Sequence, residues 1–421
     1  NDGPTVSSST LSGTVTEDNA VDSQLSGEQT QTTGVVNFED LDVTDVLVAT
    51  LGAADQTVET SKLGSYGSLT LGTVSDSVTA STGSVGWTYT LDNTIGAVQA
   101  LAVGETLAET FTVTLIDDED ATTTADIDVT IKGTNDSPVL VFDQTDTTGG
   151  VTEDEDTQTG ATGNVSFSDP DLSNVVEAGL NGVEQTPTTS QTGKYGTLTL
   201  GAVSHDGSSA AGSVGWTYTI DNSTSAVQAL AKDETLTDET FTITVFDASG
   251  ASVAQTVTLT VTGTNDSPTI TAEISDFGFN EATDAAAQAL SDSGTLSFDD
   301  VDASDVIDVG FVLKTAAVWD AGAIDSTVKS ALEDGFSIAA TDAAAPDDVG
   351  WTYSVSSVDL DFLGLNETVT LSYTVSVTDP YGATATDDVE ITITGTNDGP
   401  TVSSSTLSGT VTEDNAVDSQ L

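Results

Sequence analysis

Residues 105–138 read ETLAETFTVTLIDDEDATTTADIDVTIKGTNDSP, and this stretch organises the whole chain. From Glu109 to Asp117 apolar and polar residues alternate, so Phe111, Val113 and Leu115 share one face of an extended strand. A second alternating run spans Asp126–Lys132. Thr, Val and Ile dominate both, the composition of strands that bury one side. A short linker, Gly-Thr-Asn-Asp-Ser-Pro, closes the stretch. The same strand pairs recur as Glu239–Asp247 with Thr256–Thr262, and as Thr368–Asp379 with Asp388–Thr394.

The linker marker Asn-Asp-small-Pro stands at Asn1–Pro4, Asn135–Pro138, Asn265–Pro268 and Asn397–Pro400, with spacings of 134, 130 and 132 residues. Three modules follow, 1–134, 135–264 and 265–396, each large enough for its own core. Residues 397–421 repeat residues 1–25 without a change, and are therefore expected to open the next copy of a longer tandem array. Each module reads as all-β, with short strands and Gly, Asp, Asn and Ser turns at the spacing of a two-sheet sandwich. Brief helical turns are expected at Ala97–Leu101 and Ala226–Leu230. The third module lacks the Tyr66-Gly67 and Tyr195-Gly196 segment, and in its place Asp325–Glu333 predicts a short helix capped by Asp325. A Gly-Trp-Thr-Tyr element recurs at Trp87, Trp216 and Trp351 and predicts one core tryptophan per sandwich, whereas Trp319 falls outside it and is expected to be partly exposed.

Charge removes several functions. The 421 residues carry six lysines, no arginine and 68 Asp plus Glu, a net charge of −62. Such a chain repels nucleic acid and anionic membrane surfaces. With no Cys, no Met and one His, thiol chemistry, disulfides and Cys-type zinc sites are excluded. No apolar run approaches the ~20 residues of a membrane span. The 37% hydrophobic content nonetheless supports folded cores rather than an acidic coil. His205 lies in Ser-His-Asp-Gly, a turn sequence expected at the surface and without catalytic partners, so an enzyme is not expected.

What recurs in place is a set of carboxylates. A Glu follows each linker, at Glu17, Glu153, Glu281 and Glu413. An acidic loop after a Phe gives Asp40/Asp42/Asp45, Asp169/Asp171/Asn174 and Asp300/Asp302/Asp305. Glu105, Glu234 and Glu367 precede the long strand, which ends in Asp117, Asp247 and Asp379. Carboxylates spaced i, i+2 on irregular loops, joined by a linker Asn-Asp, match the oxygen-only preference of a hard divalent cation with 6–8 ligands, and Ca²⁺ is expected ahead of Mg²⁺.

That order, with the fuller pattern LxxGETLxETFTVTxxD…TVTxTGTNDSP, resembles cadherin-type modules. It resembles in particular the VCBS repeats of large RTX-type bacterial surface adhesins, over essentially all of residues 1–396. The resemblance implies a tandem array of cadherin- or immunoglobulin-like sandwiches forming an extended rod, with several Ca²⁺ ions at the junctions. For the first junction it implies Glu17 and Glu105 from the first module, Asn135 and Asp136 from the linker, and Asp169, Asp171 and Asp247 from the second module. For the second it implies Glu153, Glu234, Asn265, Asp266, Asp300, Asp302 and Asp379. Half-sites remain at the ends: Asn1, Asp2, Asp40, Asp42 and Asp117, and Glu281, Glu367, Asn397 and Asp398. The linker lacks the leading Asp and the later Asn of the cadherin linker, and the glycine-rich RTX nonapeptide is absent.

The function expected is a non-catalytic, Ca²⁺-rigidified extender on a bacterial cell surface, spacing a distal binding domain from the cell. Its partners are the neighbouring modules of the same chain, with no nucleic acid and no membrane insertion in this segment. Two other readings stand beside it. One is a glycan- or protein-binding module using Lys314–Phe336; the other is a self-assembling extracellular fibre subunit.

Overall fold

The computed structural model describes residues 2–18, 30–52, 58–77, 79–154, 160–182, 187–283, 286–339, 342–400, 402 and 409–411. Most of residues 397–421, the expected start of the next copy, and Asn1 therefore lie outside the described residues. Among the described residues the strands assemble into six sheets, two from each of residues 5–132, 139–262 and 269–394. By packing, the chain falls into two compact units, residues 1–227 with 235–262, and residues 228–234 with 263–421.

The first sheet pair sets the pattern. Its strands are β1 Thr5–Val6, β2 Ser12–Thr16, β3 Gln31–Glu39, β4 Val48–Thr50, β5 Ser61–Leu63, β6 Gly67–Ser75, β7 Thr82–Leu91, β8 Thr106–Ile116 and β9 Thr122–Lys132. One sheet runs β1-β3-β7-β6-β5, the other β2-β9-β8-β4. The first strand is thus split between sheets. β1 pairs antiparallel with β3, while β2 crosses over and pairs parallel with β9, Ser12 opposite Asp128 through Thr16 opposite Lys132. This is the strand arrangement of an immunoglobulin-like sandwich, and residues 139–262 repeat it strand for strand.

Alternation along each strand delivers the core. Phe111, Val113 and Leu115 are buried, and Ile127, Val129 and Ile131 of the neighbouring β9 are buried with them in the same core. The Trp of each Gly-Trp-Thr-Tyr element is buried, at 2%, 2% and 7% exposure for Trp87, Trp216 and Trp351. Gly34 lies against the Trp87 ring, where an added Cβ would sit 2.3 Å from a ring carbon, so only glycine fits. Trp319 is half-buried, edge-on to Phe362 with centroids 5.0 Å apart. β9 begins four residues before the expected Asp126, because Thr122–Thr124 adds polar residues to the ladder without apolar alternation.

A buried glutamate braces each of the first two sheet pairs from within. Glu109 on β8 accepts the Tyr66 N–H at 2.8 Å, the Ser65 N–H, and the Tyr89 hydroxyl at 2.7 Å. Glu239 does the same for Lys194 N–H at 2.9 Å and, more loosely, the Tyr218 hydroxyl at 3.5 Å. The tight turn passes so close that a Cβ on Gly64 would meet the Glu109 carboxylate at 2.5 Å. In the third module Leu371 stands in the glutamate's place and the turn is missing. A helix, Ser326–Glu333, replaces it, N-capped by Asp325 accepting from Thr327 N–H at 2.8 Å. Its last carbonyls take over the tyrosines: Tyr353 donates to Leu332 O at 3.0 Å and Tyr373 to Glu333 O at 2.8 Å.

Candidate metal centres at the module ends

The linker between β9 and the strand Val139–Leu140 is where carboxylates from two sheet pairs meet. Glu17 directly follows β2, and parallel pairing with β9 carries it to the linker. Its N–H bonds Lys132 O at 3.0 Å and its Oε1 accepts the Thr134 N–H at 2.8 Å. On the other side the acidic loop folds on itself, Asp171 N–H donating to Asp169 Oδ1 at 3.1 Å. The linker is then clamped. Asp136 N–H donates to Asp171 Oδ2 at 2.9 Å, and the Asn135 amide to Asp247 Oδ2 at 2.9 Å.

Glu17, Asp136 and Asp171 each place a carboxylate oxygen within 4.8 Å of the other two. All three are essentially fully buried, as is Asp169. Asp169 Oδ2 and Asp171 Oδ1 are shielded from solvent and accept no hydrogen bond. Carboxylates are acceptors only, so a group of them withdrawn from water without a cation is strongly unfavourable. The ion pairs of the described residues, Lys194–Asp238, Lys314–Asp388 and Lys329–Glu333, all lie elsewhere. Orphaned buried oxygens and a donor set of oxygen alone fit Ca²⁺.

Unit two repeats the geometry. Asp266 N–H donates to Asp302 Oδ2 at 2.9 Å, the Asn265 amide to Asp379 Oδ2 at 2.8 Å, and Asp302 N–H to Asp300 Oδ1 at 3.0 Å. Here the oxygens within 4.8 Å of one another belong to Asp300, Asp305 and Asp379. The leading end of the first module carries the equivalent Asp40, Asp45 and Asp117, with Asp2 N–H on Asp42 Oδ2 at 2.6 Å. At the trailing end of the third, Glu281 groups with Asp361 and Asp398; its Oε2 accepts Thr396 N–H at 2.9 Å and its Oε1 accepts nothing. Asn397 donates only to Asp398 O, at 3.4 Å.

Glu105, Glu234 and Glu367 are placed differently. Each side chain folds back to accept the N–H three residues earlier, from Ala102, Ala231 and Gly364. None is in a three-carboxylate group of the described residues. Glu153 is fully buried in unit one, its N–H on Thr262 O at 3.0 Å, as Glu17 is on Lys132. Five group members were outside the ligand set expected from sequence: Asp45, Asp118, Glu119, Asp305 and Asp361. Asp305, with its counterpart Asp45, was visible there as the last acid of the recurring loop. Asp361 stands where the first two modules carry Gln99 and Gln228, a difference that an alignment of the repeats on Glu367 exposes. His205 corrects an expectation. It is half-buried rather than a surface turn residue, its ring 6.0 Å from that of Phe167 and both ring nitrogens without a partner, because the loop folds over the second module's leading end.

Burial raises these carboxyls. It pushes Glu17 up to about 8, against the Thr134 hydrogen bond and with the charges of Asp136 and Asp171 adding to it. Burial likewise pushes Asp171 and Asp302 up to about 7, and raises Asp169, Asp300, Asp305 and Glu281. A carboxyl raised on folding holds its proton in the native state to higher pH than in the unfolded chain. Stability is then full below the unfolded value of 4.5 for Glu17 and declines as pH climbs to about 8. The melting temperature in EDTA is therefore expected to fall across that window. In Ca²⁺, which takes the protons' place, the fall should vanish and protons should be released on binding. A metal-free melting temperature independent of pH would contradict this.

The sequence matches no protein-family model and no curated protein. Solved structures do resemble it. Extracellular cadherin domains 1–5 of protocadherin gamma B2 cover 93% of this chain at 14% identity and TM-score 0.44. Mouse cadherin-23 EC22–24 covers 95% of it, with all of that chain matched, at 14% identity and TM-score 0.39. The sialic acid binding region of the Streptococcus sanguinis SK1 adhesin covers 93% of this chain and 78% of its own, at 12% identity and TM-score 0.22. The chain spans 60% of the protocadherin structure's length. At these scores none of those proteins' activities transfers to it, and the fold assignment rests on strand order. Among the described residues, no helix is long and apolar enough to cross a membrane.

Proposed function

We propose that the chain is a non-catalytic extender: three cadherin-like sandwich modules, 1–134, 135–264 and 265–396, stiffened by Ca²⁺ at their linkers. They would belong to a large repetitive extracellular protein of the VCBS-adhesin kind, holding a distal binding domain away from a bacterial surface. The observation that carries this reading is the first linker, where Glu17, Asp136 and Asp171 converge in a buried group whose members come from before and after the linker. A cation shared in that way converts a hinge into a fixed joint, because bending must break metal–ligand bonds. Glu17 and Asp136, with Asp169 and Asp171, would supply the oxygens, and Asn135 and the backbone would orient them. Extracellular modules typically bind Ca²⁺ at ~10⁻⁴–10⁻³ M, so the joint would set in a millimolar environment and loosen below it. Modules touching only their neighbours then behave as a rod whose stiffness is set at its joints.

Trypsin tests this directly, since the chain has six lysines and no arginine, and Lys132 immediately precedes the linker. Cleavage after Lys132 is expected to be fast in EDTA and suppressed by Ca²⁺. With Asp169→Ala and Asp171→Ala together it should be fast in both, while each module's circular dichroism is retained. Equal cleavage of the parent with and without Ca²⁺ would remove the joint.

A second reading keeps one observation of its own. Strand Val306–Trp319 pairs with Asp342–Ala344 only through Asp308, and beyond that exposes Val312, Leu313 and Val318 beside the helix Ser326–Glu333. An adhesive role for this module would use that face.

A further inference from the structure

The acidic loops of the three leading ends share a backbone turn, and of their three recurring acidic positions one changes type. Asp45, Asn174 and Asp305 are counterparts, each donating its N–H to the carbonyl three residues back at 3.0 Å, from Asp42, Asp171 and Asp302. In unit two Asp305 is 4% exposed, and its Oδ2 is shielded without a hydrogen-bond partner. It lies within 4.8 Å of oxygens of Asp300 and Asp379, and Asp300 Oδ2 is likewise without a partner. Asp40, Asp45 and Asp117 repeat this trio in the first module. The second module breaks it. The Asn174 amide donates to Asp171 Oδ2 at 3.0 Å and to Asn135 Oδ1 at 3.4 Å, so a neutral donor occupies the place of the third carboxylate.

We propose that this position grades the junctions: Asp45 and Asp305 complete strong Ca²⁺ sites, whereas Asn174 makes the first junction a weaker site. The inference rests on the junction reading above and adds the ranking within it. Two effects act in the same direction. Affinity in oxygen sites follows ligand charge, and Asn174 supplies one charge fewer. Its amide also engages Asp171 and Asn135 oxygens that a cation would have to recover. A rod so built loosens in steps rather than all at once as Ca²⁺ falls. The Asn-built site gives up its ion first, and the Asp-built sites keep theirs to lower Ca²⁺.

Calorimetric Ca²⁺ titration of the full chain reads this out. The parent is expected to show a tight and a weak class. Asp305→Asn should move sites from the tight class to the weak one, by roughly tenfold in affinity, and Asn174→Asp should do the reverse. Asp302→Ala serves as the reference loss of a junction ligand. If Asp302→Ala removes binding while both exchanges leave the isotherm of the parent, the ranking falls and the junction reading stands. If the parent itself takes up no Ca²⁺, both fall.

Discussion

Ca²⁺ at ~100-fold over its dissociation constant is expected to raise the stability of the chain by about 2.7 kcal/mol for every site that exists only in the folded state. With junction and end sites adding across the array, the rise in melting temperature should be on the order of 10 °C, the largest effect of any single solution change. The reason is specific to the buried groups. Glu17, Asp136, Asp169 and Asp171 are all but inaccessible, so salt screens them poorly and only an ion inside the site can balance them. Matched ionic strength from NaCl should therefore recover a minor part of the gain, the part due to the net charge of −62. Glu17→Gln removes a carboxyl that burial pushes up to about 8 and should reduce the Ca²⁺ gain while making the metal-free chain less sensitive to pH. An NaCl response equal to that of Ca²⁺ would reduce the whole effect to screening.

Replacing Glu109 with Leu is expected to cost the first module about 3 kcal/mol, a large single-site loss. The substitution preserves an apolar volume but strands the N–H groups of Ser65 and Tyr66 and the Tyr89 hydroxyl, each of which has its partner in this carboxylate. Leu371 is harmless at the same position of the third module because the tyrosine hydroxyls there bond the end of helix Ser326–Glu333 instead. Glu109→Gln should recover part of the loss, since its amide oxygen still accepts from the turn. Differential scanning calorimetry would show a melting transition moving down. Hydrogen exchange should show the Ser65 and Tyr66 amides opening first. A Leu variant that melts with the parent would mean the turn finds other acceptors.

The strands were legible because alternation at Phe111, Val113 and Leu115 leaves only one face to bury, and because the linker motif resets the pattern in each repeat. The helix in the third module was legible for a similar local reason: Asp325 is a cap, and Ser326–Glu333 has the composition to follow it. Glu109 was not. Among 68 acidic residues nothing local marks this one as buried; the backbone groups it holds lie more than forty positions away in sequence at Ser65 and Tyr66. A signal did exist, since Glu109 and Glu239 coincide with the Tyr-Gly turn and Leu371 with its loss, but it appears only when the repeats are read against one another. The carboxylate groups were legible as recurring positions and not as contacts. Sequence order cannot tell that Asp305 turns into its group while Glu234 folds back on its own turn. His205 was misread because a turn-like tetrapeptide says nothing of the Phe167 ring that another strand brings beneath it.

Small-angle scattering of the full chain, in Ca²⁺ and in excess EDTA at fixed ionic strength, tests the central claim most directly. The expected profile in Ca²⁺ is that of a stiff, extended particle, and chelation should shift it to a flexible chain of folded modules with circular dichroism still all-β. Profiles that superimpose with and without Ca²⁺ would contradict the account and leave the buried carboxylates without a mechanical role.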